Sequence, residues 1–395
     1  MSLDPGAIVI VGGARTPVGS FGGSLTGVPA HELGATAARA ALARAGLGAA
    51  DVGEWVVGCV GQTGKDAYIA RRVALAAGAP TTSTALTVNR ICGSGLQALV
   101  SAADELRRGD SDVVVAGGAE SMSRQPFLDV SARSGYQLGH RTVLDGTLSL
   151  LTDPFTDVPM GITAENVAAR HGVSRDQQDE FAVESQRRAQ AALADGAVAA
   201  EIAPVTIAGR KGDVVVDVDE HPRAGITVEK LAGMRPAFQA GGSVTAGNSS
   251  GINDGAAMLV VTTAGVAAER GLTPIAEFVG AAKAGCDPDV MGYAPKPAIE
   301  KLLGRHQLGT GDLDWIELNE AFAAQAVAVV RDAGLDPEKV NPLGGAIAWG
   351  HPIGATGAIL TLRTATNLHG RGLEWGLVSL CIGGGQALAA LFRAV

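Results

Sequence analysis

Cys92 stands where an apolar run, Ala85 to Ile91, meets Gly93-Ser94-Gly95 and the start of a helical pattern. A helix N-terminus offers unpaired N–H groups and the positive end of the helix dipole, so a thiol placed there is expected to ionise more easily than usual. The same residue also fits a small buried hydrophobe. Lowering a thiol pKa from about 8.5 to about 6.5 raises the thiolate fraction at pH 7 about 25-fold, but weaker nucleophilicity takes back roughly 8-fold of that. A nucleophile here therefore needs a positioned base and donors for a developing oxyanion, which contribute far more. His351, in Trp349-Gly350-His351-Pro352-Ile353-Gly354, is the candidate base, although a lone histidine is more often a structural hydrogen-bonding group; none of the other histidines has such a setting. Cys381 follows Val378-Ser379-Leu380 and leads into Ile382-Gly383-Gly384-Gly385, a run whose N–H groups are free to face a bound oxygen. Asn319 closes Trp315-Ile316-Glu317-Leu318 before a helix expected from Glu320 to Arg331, where it fits an N-cap or a functional carboxamide.

The elements that must position these groups recur. Apolar runs at Ile8-Val11, Glu54-Val57, Val113-Ala116, Met258-Val261, Trp315-Leu318 and Leu377-Cys381 alternate with helical stretches, the rhythm of an α/β protein with strands covered on both faces. Leu47-Gly48-Ala49-Ala50-Asp51-Val52 before Trp55 returns as Leu308-Gly309-Thr310-Gly311-Asp312-Leu313 before Trp315. Cys92-Gly93-Ser94-Gly95 opens a helix to Gly109 and then a strand ending at Gly117-Gly118. Likewise, Gly354-Ala355-Thr356-Gly357 opens a helix to about Gly370 and then a strand ending at Gly383-Gly384-Gly385. This order predicts two like halves. Leu96, Leu99, Val100, Ala103 and Leu106 make the first of these helices a buried one, and pairing the halves would bring the two helix N-termini together. From about Ser121 to Ile252 the character changes. Ser174-Arg175-Asp176-Gln177 begins a solvated helix, Gly209 to Asp213 forms a turn before Val214-Val215-Val216, and the stretch is expected to be an inserted, loop-rich lobe.

At 395 residues, 47% apolar and 18% charged, the chain has enough material for two or three domains and is neither disordered nor fibrous; its 55 glycines follow no Gly-X-Y period. A net charge of −9, with basic residues clustering in nothing larger than pairs such as Arg71-Arg72, Arg107-Arg108 and Arg210-Lys211, argues against a nucleic-acid or anionic-membrane surface. No apolar stretch approaches the ~18 residues of a membrane span, and no basic residue precedes the first apolar run, so a soluble, cytoplasmic protein is expected. Cys59, Cys92, Cys286 and Cys381 are too sparse for a disulfide framework. Gly93-Ser94-Gly95-Leu96-Gln97-Ala98 fits a dinucleotide fingerprint but lacks a well-placed ribose-binding acid. Gly58 to Asp66 only nears a P-loop, and no C-x-x-C or H-E-x-x-H supports a metal.

Taken together, Asn89-Arg90-Ile91-Cys92-Gly93-Ser94-Gly95, Asn319-Glu320-Ala321-Phe322, Gly350-His351-Pro352-Ile353-Gly354 and Cys381-Ile382-Gly383-Gly384-Gly385 resemble, in order and over the whole chain, the motifs of the thiolase family. The resemblance implies a five-layered αβαβα thiolase fold of two duplicated halves with an inserted loop domain, commonly a homodimer or homotetramer. Residues 1–120, completed by 253–273, would form the N-terminal half, 121–252 the CoA-binding loop domain and 274–395 the C-terminal half. It further implies ping-pong interconversion of 3-ketoacyl-CoA plus CoA with acyl-CoA plus acetyl-CoA. Cys92 would carry the acyl thioester, His351 accept its proton and Cys381 move a proton at the second substrate. One oxyanion site would come from His351 with a water held by Asn319, another from the N–H groups of Cys92 and Gly383. Arg223 and Ser250 would contact the nucleotide and pantetheine of CoA, with Leu151, Met160, Met291 and Phe322 near the acyl end. CoA thioesters are the substrates, and neither metal nor redox cofactor is implied.

One position departs from many acetoacetyl-CoA-forming members: Pro159-Met160-Gly161 replaces His-Met-Gly, and proline neither donates a hydrogen bond nor carries charge. That form resembles members acting on longer 3-ketoacyl-CoA. The alternatives are a ketoacyl-synthase-like condensing enzyme, which the second cysteine disfavours, and a non-catalytic acyl-CoA-binding or thiol redox-sensing protein, which leaves His351 and Asn319 unexplained.

Overall fold

Along the strand Val113–Ser121, Val113, Val115 and Ala119 face one apolar core while Val114 and Ala116 face another. The same division runs through Trp315–Leu318, where Ile316 and Leu318 enter one core and Trp315 the other. Side chains alternate across a strand, so a sheet sandwiched between helices needs apolar residues on both faces, and these runs show no polar alternation. The computed structural model describes residues 3–395.

In spatial order the main sheet runs Trp315–Leu318, Trp375–Ile382, Gln386–Arg393, Ala276–Gly285, Ile8–Arg15, Asn253–Thr263, Val113–Ser121, Glu54–Gly58 and Thr84–Val88, with Gly19–Ser20 beside Asn253–Thr263. The halves join where Ile8 to Ile10 pair antiparallel with Ala276 to Phe278. Helices Ala30–Arg44 and Ile69–Ala77 pack on the outer face of the first half, and Pro295–His306 and Ala323–Asp332 on the outer face of the second. Between them lies a core to which strands of both halves and the helices Ser94–Arg108 and Thr356–Arg371 contribute. The result is the layered αβαβα arrangement of two like halves.

The two central helices touch through their glycines. A Cβ on Gly95 would stand 2.8 Å from the amide nitrogen of Ala358, and one on Gly357 would collide with that of Leu96. Gly95 and Gly357 occupy equivalent places in the two repeats, so the contact is reciprocal and brings the two helix starts together.

Several elements differ from the sequence expectation. The strand at Val113 does not end at Gly117-Gly118 but continues to Ser121; a side chain at Gly118 would strike the carbonyl of Gly354, so the glycines let the histidine loop approach the strand. The strands Ala276–Gly285 and Gln386–Arg393 were hidden by their alanine and glycine content. The helix after Asn319 begins at Ala323, with Phe322 preceding it and its N–H bonded by the Gln325 side chain, so Asn319 is not a cap. The helix expected after Ser174 runs Arg175–Ala194, opened by the reciprocal Ser174/Gln177 capping box, and a further helix, Met160–His171, precedes it among the loops between the halves.

Candidate active site

The turn carrying Cys92 is tight and strained. Ile91 takes φ +44°, a left-handed conformation that β-branched residues rarely adopt and that costs about 1–3 kcal/mol. Local bonds hold it: Ile91 N–H donates to Asn89 Oδ1 (3.0 Å), Arg90 N–H to Ser94 Oγ (2.9 Å), and the Ser94 hydroxyl to Ile91 O (2.7 Å). The helix Ser94–Arg108 follows directly. Cys92 and Leu151 pack with Val60, Met122 and Ile353 in a small apolar cluster.

Contrary to the expectation from helix position, the thiol is not acidified. Burial pushes Cys92 up to about 11, and the hydrogen bonds to its sulfur from Gly383 N–H and its own N–H lower it by less. A helix terminus supplies only partial charge, whereas removing the sulfur from water penalises the whole thiolate.

His351 is buried, and burial pushes its imidazole down to about 4. Its hydrogen bonds define its tautomer. The Thr356 hydroxyl donates to Pro352 O (3.0 Å), so at 2.7 Å from His351 Nδ1 it accepts that nitrogen's proton. Nε2 is left with its lone pair. Asn319 Nδ2 lies 3.5 Å from this Nε2, and Asn319 Oδ1 is buried without a partner among the described residues, available to a donor from a ligand. The backbone of His351 is held by Asn253 Oδ1 (2.9 Å). Glu320 accepts from Ser185 Oγ (2.7 Å), Asn341 Nδ2 (2.7 Å) and Ile347 N–H (3.2 Å), tying the segment after Asn319 to the short helix before His351.

Cys381 ends the buried strand Trp375–Ile382. Burial and then the Cys92 sulfur push its thiol far above the ordinary range. Cys381 shares an apolar cluster with Met291, Phe322, Met160 and Phe238, and Met160 also lies against Gly383. Asn319 thus meets His351, and Ile353, two residues after His351, packs in the cluster of Cys92 and Leu151, while Met160, Met291 and Phe322 pack with Cys381. Ser250 joins the edge of this group, its N–H donating to Ala321 O (3.0 Å). Arg223 stays apart: it is exposed, its backbone N–H bonded to Gln186 Oε1 (2.9 Å), and its charge adds to the burial that pushes His221 down to about 4.

Sequence reasoning missed Thr356, Asn253 and Glu120. Each carried some signal: Thr356 sits five residues after the histidine at a helix start, and Asn253 and Glu120 are polar residues toward the ends of strands whose middles are apolar. A surface depression of about 410 Å³ is bordered by Arg235 to Ala240, including Phe238 of the Cys381 cluster. An apolar cavity of about 420 Å³ between helices Arg175–Ala194 and Ala323–Asp332 is lined by Glu320 but by none of the residues around the sulfurs. Among the described residues no helix is long and apolar enough to cross a membrane.

The family descriptions "Thiolase, N-terminal domain" and "Thiolase, C-terminal domain" match residues 8–265 and 272–394. The chain is 50% identical over 390 residues to the beta-ketothiolase BktB of Cupriavidus necator, covering 98% of this chain and 99% of that protein. The acetyl-CoA acetyltransferase of Bacillus anthracis superposes with TM-score 0.97 at 45% identity, covering 98% of this chain and 99% of that one. Human mitochondrial 3-ketoacyl-CoA thiolase in complex with CoA superposes with TM-score 0.94 at 39% identity, covering 98% of both chains.

Proposed function

The chain belongs to the thiolase family and is a thiolase, an acyltransferase acting on CoA thioesters; on that premise we propose that Cys92, His351, Cys381, Asn319 and Gly383 perform its chemistry. The observation carrying this assignment is that the loop of His351 meets the turn of Cys92, Ile353 packing in the Cys92 cluster, while Asn319 Nδ2 lies 3.5 Å from His351 Nε2. A base and a carboxamide held beside a thiol suit attack on a carbonyl and stabilisation of the charge that develops on its oxygen.

In the cleavage direction, Cys92 Sγ bonds to the 3-keto carbon while its proton passes to His351 Nε2. The bond between C2 and C3 breaks, and the acetyl-CoA enolate takes the Cys381 proton, which the raised pKa of that thiol keeps in place until a strong carbon base arrives. Asn319 and protonated His351 stabilise the enolate oxygen. CoA then attacks acyl-Cys92, giving its thiol proton to Cys381, and departing Cys92 recovers its own from His351. These four proton transfers leave Cys92, Cys381 and His351 as they began, the proton of CoA replacing the one that Cys381 gave to acetyl-CoA, and condensation is the same sequence reversed. CoA lies against the 121–252 segment. Arg223, solvent-exposed, meets its phosphates, Ser250 its pantetheine, and Phe238 lies between the depression and the sulfurs.

The proposal extends to 3-ketoacyl-CoA longer than acetoacetyl-CoA, from Pro159 before Met160. It also includes a cytoplasmic location, in keeping with free thiols, no cofactor beyond CoA, and a homodimer or homotetramer. The assembly is supported by the edge strand Thr84–Val88, with Leu86 exposed, and by exposed Phe127, Val130, Tyr136, Leu138 and Phe155 in one segment.

The test is to incubate the protein with acetyl-CoA and map acetylation by peptide mass. Label on Cys92 that is lost in Cys92→Ser supports the assignment, while CoA binding without label refutes it. Cys381→Ser should still acetylate Cys92 but fail at carbon–carbon cleavage; equal loss of both would overturn the division of labour.

A further inference from the structure

Glu120 is fully buried near the end of the strand Val113–Ser121, and every polar neighbour it has is a donor. Its Oε2 accepts from Val60 N–H (2.9 Å) and Gly354 N–H (3.0 Å). Its Oε1 accepts from Gly61 N–H (3.0 Å) and, more weakly, from the Cys59 thiol (3.5 Å). Val60 and Gly61 belong to the loop after the strand Glu54–Gly58, whereas Gly354 lies three residues after His351. The carboxylate thus bridges two loops from opposite halves of the chain. Val60 and Ile353, one on each loop, both pack in the apolar cluster with Cys92. Gly354 has no side chain because a Cβ there would press on Glu120 Oε2.

We propose that Glu120 is a positioning residue for acyl transfer: by accepting from Val60, Gly61 and Gly354 it fixes the His351 loop relative to the walls that hold the Cys92 sulfur. Only an acceptor-only group fits this surround. A glutamine would turn its NH2 toward one or the other pair of donors and break one side of the bridge. The charge itself works against a thiolate, because Glu120 helps to raise Cys92. Geometry and charge therefore predict different outcomes for Glu120→Gln: a misplaced His351 loop slows acyl transfer, whereas loss of the charge alone eases ionisation of the thiol.

The inference rests on Cys92 and His351 carrying acyl transfer, and wild-type acetylation of Cys92 by acetyl-CoA tests that separately. With the full chain, the acetylation rate, CoA affinity and the pH dependence of Cys92 alkylation by iodoacetamide are measured for wild type and Glu120→Gln. Misplacement of a catalytic group by about 1 Å costs about 100-fold, so acetylation should fall by about that factor while CoA affinity stays within about twofold of wild type, even with the alkylation profile unmoved or moved to lower pH. Acetylation within about threefold of wild type overturns the inference. So does acetylation that rises together with a profile moving to lower pH, the mark of a charge effect alone, or a parallel loss of acetylation and CoA binding, the mark of general unfolding. If Glu120→Gln does not fold, Glu120→Asp, which keeps the charge but shortens its reach, must show the same split; acetylation at the wild-type rate in that variant overturns it equally. Absence of label on wild-type Cys92 would instead remove the assignment of the nucleophile.

Discussion

Burial fixes the protonation states of Cys92 and His351 before any substrate binds: the thiol is pushed up to about 11 and the imidazole down to about 4, so the resting pair is neutral. Transfer of the proton is then favourable only as the sulfur bonds to a carbonyl and its charge passes to an oxygen held by N–H groups. The same shift affects stability. Between about pH 6.5 and about pH 4 the unfolded chain protonates this imidazole while the native one does not, so its contribution is complete above that window and is lost as the pH falls through it. His351→Asn should therefore flatten the dependence of stability on pH within the window by about one proton, or ~1.4 kcal/mol per pH unit. Urea unfolding at a series of pH values reads this directly, and an unchanged slope would contradict a buried neutral histidine. The identities of these groups were legible in the sequence; their acidities were not, because a pKa depends on how much water the fold removes.

At the scale of elements, the site depends on two helix starts meeting. Gly95 and Gly357 allow the Ser94–Arg108 and Thr356–Arg371 helices to approach backbone to backbone, which sets the Cys92 turn beside the His351 loop. Gly95→Val should overpack this crossing and cost about 2–3 kcal/mol, seen as a lower Tm. Gly370→Ala, near the far end of the second helix with open space around it, should be neutral or stabilising by about 0.5–1 kcal/mol. Equal effects of the two would show that the crossing is not tight. The repeat in the sequence anticipated both helices, but not that Val113–Ser121 runs on past its glycines or that the helix after Asn319 starts late. Gly117 and Gly118 serve close approach to neighbouring backbone rather than ending the strand.

For the molecule as a whole, the parts are pinned by a buried ionic cluster. Arg15 from the first half bonds Glu201 (2.8 Å) and Asp219 (2.7 Å) of the intervening segment, and Glu201 also meets Arg363 of the second half (3.4 Å), all of them buried. Removing one partner leaves the others charged in an apolar interior, which typically costs about 3–5 kcal/mol. Arg15→Met should lose about that much in urea unfolding; a loss under about 1 kcal/mol would show that the cluster does not pin the parts.

The sequence by itself determined the residue types of the chemistry, the duplicated order of elements and the alternation that buries strands on both faces, because these depend on local spacing and on side-chain periodicity. Only the tertiary structure decided that Thr356 fixes the tautomer of His351, that burial outweighs the helix dipole at Cys92 and that Glu120 joins two distant loops. Those outcomes come from desolvation and from hydrogen bonds between residues far apart in the chain, and neither quantity exists until the two halves have packed.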